Sequence, residues 1–135
     1  MRTALDTSVL LDILGNDPVH AGPSEAALRK AARDGALVVC ETVVAELGPV
    51  LGPDGVLQFL DEARILFVPS SLEAANLAGA MYAVYLRRRK APARVLPDFL
   101  VGAHAMLHAD RLLARDRRYY RDYFKGLHLW LPSAP

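Results

Sequence analysis

A single α/β domain with a mainly parallel central sheet flanked by helices is the fold this sequence predicts, and three observations predict it. Short apolar runs suited to strands (RTAL, ALVVC, ILFVP, RLLA and LHLWLP) alternate with single helical segments. The length of 135 residues and the 53% hydrophobic composition provide for one core and little more. No internal repeat or low-complexity linker divides the chain, so residues 1–135 read as one domain, with 131–135 a short C-terminal tail.

The elements follow in order. RTAL is a strand, and SVLLDIL carries apolar residues through two helical turns until Gly15, Asn16, Asp17 and Pro18 break it. Pro23 and Ser24 open a second helix, SEAALRKAARD, which Gly35 stops. ALVVC is a buried strand. TVVAELGPVL is a helix begun by Thr42 and disturbed by Gly48 and Pro49, and GVLQFLDEA is helical after it. ILFVP is a strand ended by Pro69. SLEAANLAGAMYAVYLRRR is the longest helix, opened by Ser70 and Ser71 with Glu73 in its first turn. The basic loop KAPARVL leads to Pro97, a favoured first-turn residue for PDFLVGAHAMLHA. RLLA is a short strand, RRYYRDYF a short helix and LHLWLP the last strand.

Cys40 is the only cysteine, so no intrachain disulfide forms, and its setting in LVVC suits an inert core thiol in a reducing compartment. Asp6 and Asp12 interrupt the apolar start, so a secretory signal peptide is not expected. LAGAMYAVYL, the longest uncharged apolar stretch, is about half of the roughly 20 residues a membrane span needs. A soluble cytoplasmic protein with no membrane association is expected. The net charge of +1 conceals an asymmetry: residues 1–86 hold five basic and eleven acidic side chains, residues 87–125 eleven basic and four acidic. Such separation is often only a solvated surface, but it also suits a polyanion held by arginines around a carboxylate site.

In a parallel α/β sheet, ligands sit at the carboxyl ends of the strands. Asp6 follows the first strand, Asp116 follows RLLA, Glu46 lies on the helix after LVVC, and Asp98 is in the first turn of the PDFL helix. Each has an ordinary reading: Asp6 and Asp116 as N-caps, Asp98 as complement to a helix dipole. The neighbourhood of Asp98 favours more. Asp98, Gly102, Ala105 and Ala109 form one stripe of small residues on a helix otherwise apolar nearly all round, which suggests open space beside the charge. Glu46 projects at the margin of an apolar face, and Glu41 points more outward.

Carboxylates buried together repel one another and lose hydration, so a convergent set calls for a cation. Oxygen ligands suit Mg²⁺ or Mn²⁺. No Cys/His cluster suits zinc, and HAMLH, with His104 and His108 at i, i+4, lacks the glutamate of HExxH, which leaves both as helix-face residues.

LDTSVLLDIL, ETVVAEL, PDFLVGAHA and LLARDRRYYRDYF, in that order, resemble the PIN-domain ribonucleases, in particular the VapC-like toxins of bacterial toxin-antitoxin pairs. The resemblance spans nearly the whole chain. It implies a metal-dependent endoribonuclease whose acidic cluster is Asp6, Glu46, Asp98 and Asp116, with Asp6 and Asp98 the principal ligands of Mg²⁺ or Mn²⁺ and Ser8 a supporting hydroxyl. A metal ion that acidifies water lets hydrolysis proceed near neutral pH, and in-line displacement leaves a 5′-phosphate and a 3′-hydroxyl. The family commonly has Thr or Ser two residues before the last aspartate, where this chain has Ala114. The resemblance further implies an antitoxin partner, whose tail often delivers an arginine to the acids, and a homodimer.

Arg87, Arg88 and Arg89, together with Lys90, Arg94, Arg115, Arg117, Arg118 and Arg121, are candidate RNA phosphate contacts, which confer affinity and salt sensitivity rather than sequence choice. Arginines ending a helix also complement its dipole. Tyr119, Tyr120 and Tyr123 suit core packing ahead of base stacking. Two other classes compete. A phospho-acceptor receiver needs an acidic pair after its first strand and a late lysine, and LDTS has one acid. A non-catalytic RNA-binding or regulatory module with the same fold finds its one hint in Ala114.

Overall fold

The computed structural model describes residues 1–89, 95–115, 117 and 119–133. Its centre is a five-stranded, wholly parallel sheet of β1 (Arg2–Leu5), β2 (Ala36–Val39), β3 (Ile65–Phe67), β4 (Arg111–Leu113) and β5 (Leu129–Trp130), in the order β3-β2-β1-β4-β5. Around it lie α1 (Thr7–Leu14), α2 (Ala21–Asp34), α3 (Glu41–Glu62), α4 (Leu72–Arg88), α5 (Leu96–His108) and α6 (Tyr120–Tyr123). Strands covered on both faces are near-continuous apolar runs. Leu37, Val38 and Val39 of β2 and Leu112 and Leu113 of β4 are accordingly buried.

The N-terminal end of the sheet is tied by specific contacts. The Ala36 N–H donates to the Met1 carbonyl at 2.9 Å. Gly35 passes so close to Met1 that a Cβ there would lie 1.9 Å from that carbonyl oxygen, which is why glycine ends α2. Arg111, nearly buried, stacks over Trp130 at 4.4 Å and donates to Thr3 Oγ1 and to Asp34 Oδ2, both at 2.8 Å. One member of the basic C-terminal region is therefore a clamp joining β4, β1, β5 and α2, far from the other end of the sheet.

Several boundaries differ from the sequence expectation. α3 runs through Gly48 and Pro49, and its break falls at Gly52, whose φ of 72° and ψ of 165° are non-helical. Pro53 disfavours helical backbone in the residue before it, and glycine alone adopts this φ without strain. By length and mean hydropathy (22 residues, 1.2) α3 is long and apolar enough to cross a bilayer, which LAGAMYAVYL is not. Here it is a broken flanking helix that buries Val43, Leu47, Val56 and Leu60 in the core. The helix expected over RRYYRDYF is only the four residues of α6, and of LHLWLP only Leu129 and Trp130 form strand. β5 pairs with β4 alone, so its length is limited by the three residues of β4.

α4 and α5 pack through aromatic rings. Phe99, fully buried, meets Tyr82 and Tyr85 at 5.5 Å, Tyr123 at 5.3 Å and Tyr119 at 5.6 Å between centroids. This cluster joins α4, α5 and the segment around α6, and it accounts for Tyr119 and Tyr123 as packing residues. His104 and His108 are also structural: His104 bonds the Val68 carbonyl at 2.7 Å, and His108 Nε2 accepts from the Ser71 N–H at 3.1 Å at the start of α4.

Candidate active site

The direction in which strands are added reverses between β1 and β4, which lie side by side at the middle of the sheet, and their carboxyl ends open onto a crevice. Asp6 leaves β1 there, its N–H donating to the Leu113 carbonyl at 2.9 Å. Asp6 is an N-cap, as its ordinary reading has it, and it also lines the cavity. With φ −79° and ψ 149° it starts α1, and its Oδ2 accepts from the Ser8 N–H at 3.1 Å and from the Ser8 hydroxyl. Its other oxygen, Oδ1, accepts from the Tyr120 hydroxyl at 2.6 Å. The carboxylate is thus oriented from both sides, by its own helix and by a residue 114 positions later.

Asp6, Glu46 and Asp98 line one cavity of about 270 Å³, together with Thr7, Ser8, Leu11, Asp12 and Arg115. Thr7 donates to Glu46 Oε1 at 2.6 Å, linking the start of α1 to α3. Pro97 is the second residue of α5, and Asp98 follows it in the first turn, where it lines the cavity. Burial is unequal: Asp6 is 8% exposed, Asp98 half-buried and Glu46 exposed. Of the three expected acids that line the cavity only Asp6 is buried, which corrects the expectation that they are buried together. Glu41, as expected, faces outward, where it accepts from the Ser70 N–H at 2.8 Å.

Tyr120 reports the shared field of these acids. Burial, first of all, and then the charges of Asp6, Asp98 and Glu46 and the hydrogen bond to Asp6, hold its phenol protonated well above the ordinary tyrosine range. Three carboxylates from β1–α1, α3 and α5 therefore act on a single buried hydroxyl. The small-residue stripe on α5 has a different cause from the open space expected. A Cβ on Gly102 would lie 2.6 Å from the Phe124 ring, so the stripe receives the aromatic residue that follows α6.

Asp12, Thr7 and Tyr120 are the site residues that sequence reasoning misses. Asp12 is 5% exposed, accepts from the Ser24 hydroxyl at 3.2 Å, and pairs with Arg115 at 3.0 Å. The usable signal for Asp12 is its place inside the apolar run VLLDIL, one helical turn after Ser8 and so on the same face. Thr7 carries no comparable signal, and no local pattern distinguishes Tyr120 from Tyr119.

The structure brings Ser8 and Arg115 to the cavity as well. The Arg115 N–H donates to Ser8 Oγ at 3.2 Å, and the same hydroxyl donates to Asp6, which connects the end of β4 to the end of β1. Ala114 is buried beside them. Arg87, Arg88 and Arg89 do not line this cavity: they end α4, with Arg88 over Tyr123 at 5.5 Å and Arg89 over Tyr85 at 5.4 Å. Arg117 is exposed. Asp116 and Arg118, and with them Lys90 and Arg94, lie outside the described residues. Among the described residues, no three His, Cys, Asp or Glu side chains are grouped closely enough to form a ready-made metal cage.

The family model of the PIN domain matches residues 3–125. The chain belongs to the PIN domain family. No curated protein matches the sequence. Among solved structures, this PIN domain is similar to VapBC2 from Rickettsia felis bound to a DNA fragment from its promoter, with a TM-score of 0.74, 17% identity, and 98% of this chain and 100% of that one covered. It is also similar to DNA-bound VapBC from Salmonella typhimurium (TM-score 0.70, 16% identity, 98% and 99% covered). A third is VapC20 of Mycobacterium tuberculosis, a Sarcin-Ricin loop cleaving toxin (TM-score 0.61, 13% identity, 98% and 99% covered). At these identities the likeness shows the fold. The PIN domain of this chain has the topology these proteins share, with its acids at the crevice that topology creates.

Proposed function

We propose that this PIN domain is a Mg²⁺- or Mn²⁺-dependent endoribonuclease and the toxin of a toxin-antitoxin pair in the cytoplasm. The observation that carries the reading is the convergence of Asp6, Glu46 and Asp98 on one cavity at the β1/β4 crevice. Its donor set is oxygen only, which fits a hard divalent cation. Mg²⁺ keeps several waters and takes one or two protein carboxylates, so a site without a closed cage suits it. Asp6 and Asp98 would hold the ion, with Glu46 and Asp116 completing the acidic set. When bound, the cation supplies charge neutralisation at the phosphodiester and acidifies water.

The chain's own residues do the rest. Ser8 and Tyr120 fix both oxygens of Asp6, so its orientation is set before any ligand arrives. Thr7 holds Glu46 in the same way from one side. Arginines 87–89, 115, 117 and 118 offer phosphate contacts to RNA, and an antitoxin and a second copy of the chain are the proposed protein partners.

The test is cleavage of single-stranded RNA by pure protein with Mg²⁺ or Mn²⁺. Asp6→Asn and Asp98→Asn are each expected to lower the rate by about 100-fold or more, given the several kcal/mol such an ion contributes. Both variants preserve shape, and Asn preserves capping at position 6. Cleavage that survives in either variant, or in excess chelator, would refute the assignment.

A further inference from the structure

The nuclease chemistry makes no use of Asp12, yet this carboxylate is buried, faces the cavity, and is held by two partners. Ser24 Oγ donates to its Oδ2 at 3.2 Å, and Ser24 itself is 1% exposed. Arg115 Nη1 donates to its Oδ1 at 3.0 Å. A buried carboxylate with one fixed hydroxyl and one guanidinium is costly to keep, since desolvation must be offset by both contacts. The pair is asymmetric: the Asp12 side chain is enclosed at 5% exposure, whereas the Arg115 side chain remains 31% exposed, so the acid is a fixed base from which the guanidinium reaches toward the opening.

Arg115 enters at the carboxyl end of β4, and its backbone is also tied, its N–H donating to Ser8 Oγ. Only Nη1 of the guanidinium is used: among the described residues, Nε and Nη2 have no hydrogen-bond partner. A cation with two donors that no described residue engages, anchored at backbone and side chain, thus stands on the wall that also carries Asp6 and Asp98. Planar guanidinium donors match phosphate oxygens, and anchoring in advance lowers the entropy lost on binding.

We propose that Asp12 is a positioning residue that holds Arg115 as the phosphate contact inside the cavity, so that the RNA backbone is gripped beside the acids. The proposal rests on the nuclease reading for its substrate class, and it separates this one arginine from those at the end of α4. Arg115 carries backbone affinity, and Asp12 carries none of its own.

The experiment measures binding of a fluorescent single-stranded RNA by anisotropy over a salt series, with Ca²⁺ replacing Mg²⁺, so that its readout is independent of cleavage. Arg115→Gln is expected to weaken binding by about tenfold or more, the range of a charge-assisted hydrogen bond, and to reduce the salt slope by about one. Asp12→Asn, nearly isosteric and still able to bond Ser24, is expected to weaken binding roughly threefold, since it loosens the arginine without removing it. The double variant should bind no worse than Arg115→Gln alone, because both changes remove one interaction. Thermal unfolding of each variant verifies its fold. Unchanged RNA affinity and salt slope in Arg115→Gln, additive losses in the double variant, or no RNA binding by the wild type would each overturn the proposal. Wild-type binding with these losses but without metal-dependent cleavage would defeat the nuclease reading and leave the Asp12–Arg115 assignment standing.

Discussion

Replacing Gly102 by alanine tests how α5 and the segment after α6 are fitted together. The new Cβ would lie 2.6, 2.8 and 3.1 Å from three carbons of the Phe124 ring, where carbon atoms normally rest about 3.5–4.0 Å apart. The ring must retreat by about 1 Å to restore that separation, yet Phe124 is 3% exposed and packs against Phe99 at 5.9 Å. Overpacking of this kind costs about 1–3 kcal/mol, and three simultaneous close contacts place it near the top of that range. Alanine recovers about 1 kcal/mol through helix propensity. The net loss is about 2 kcal/mol, which at about 2.1 cal/mol/K per residue over this chain lowers Tm by about 7 °C. Gly79→Ala is the control, since Gly79 lies in α4, is exposed, and has nothing within 4 Å of the added Cβ. It should gain up to about 1 kcal/mol. Thermal and urea unfolding followed by circular dichroism read both variants. A Gly102→Ala protein as stable as the Gly79→Ala protein would refute the account of the stripe.

Two further predictions concern buried titratable groups. Burial, ahead of the neighbouring His108, lowers the His104 pKa below its ordinary 6.5, while Glu41 and the Val68 carbonyl oppose the shift. Its neutral form is favoured in the fold, so its contribution is complete above pH 6.5 and is lost as pH falls from there through the depressed value. Urea midpoints at about pH 7 and pH 5, on either side of the ordinary histidine range, should therefore differ less for His104→Gln than for wild type, and an equal difference would remove His104 from the acid sensitivity. Burial likewise raises the Cys40 thiol above 9.0. Native protein at about pH 7 should resist a thiol reagent such as DTNB and react fully in denaturant, and rapid native labelling would contradict the buried placement.

Much of the fold is legible in the chain because its signals are local. The strands β1, β2 and β4 are short apolar runs, and Pro97, Ser71 and Gly35 punctuate helices within a residue or two of the expected places. Asp6, Glu46 and Asp98 follow from a topological rule applied to those elements. The partners of these acids are not local. Tyr120 reaches Asp6 across 114 residues and Arg115 reaches Asp12 across 103, so neither pairing has a periodicity that a sequence displays. Gly102 illustrates the limit from another side: a small residue on a helix face signals close approach, but whether a ring or open space approaches depends on where Phe124 folds. Asp116 has the same sequence warrant as Asp6, and it lies outside the described residues.

The crevice has walls drawn from early and late parts of the chain, with β4 seated against β1 through Thr3 and Arg111, Ala4 and Leu112, and Leu5 and Leu113. A ribosome must therefore finish most of its work before this crevice exists. Fragments released early lack the strand that completes the wall.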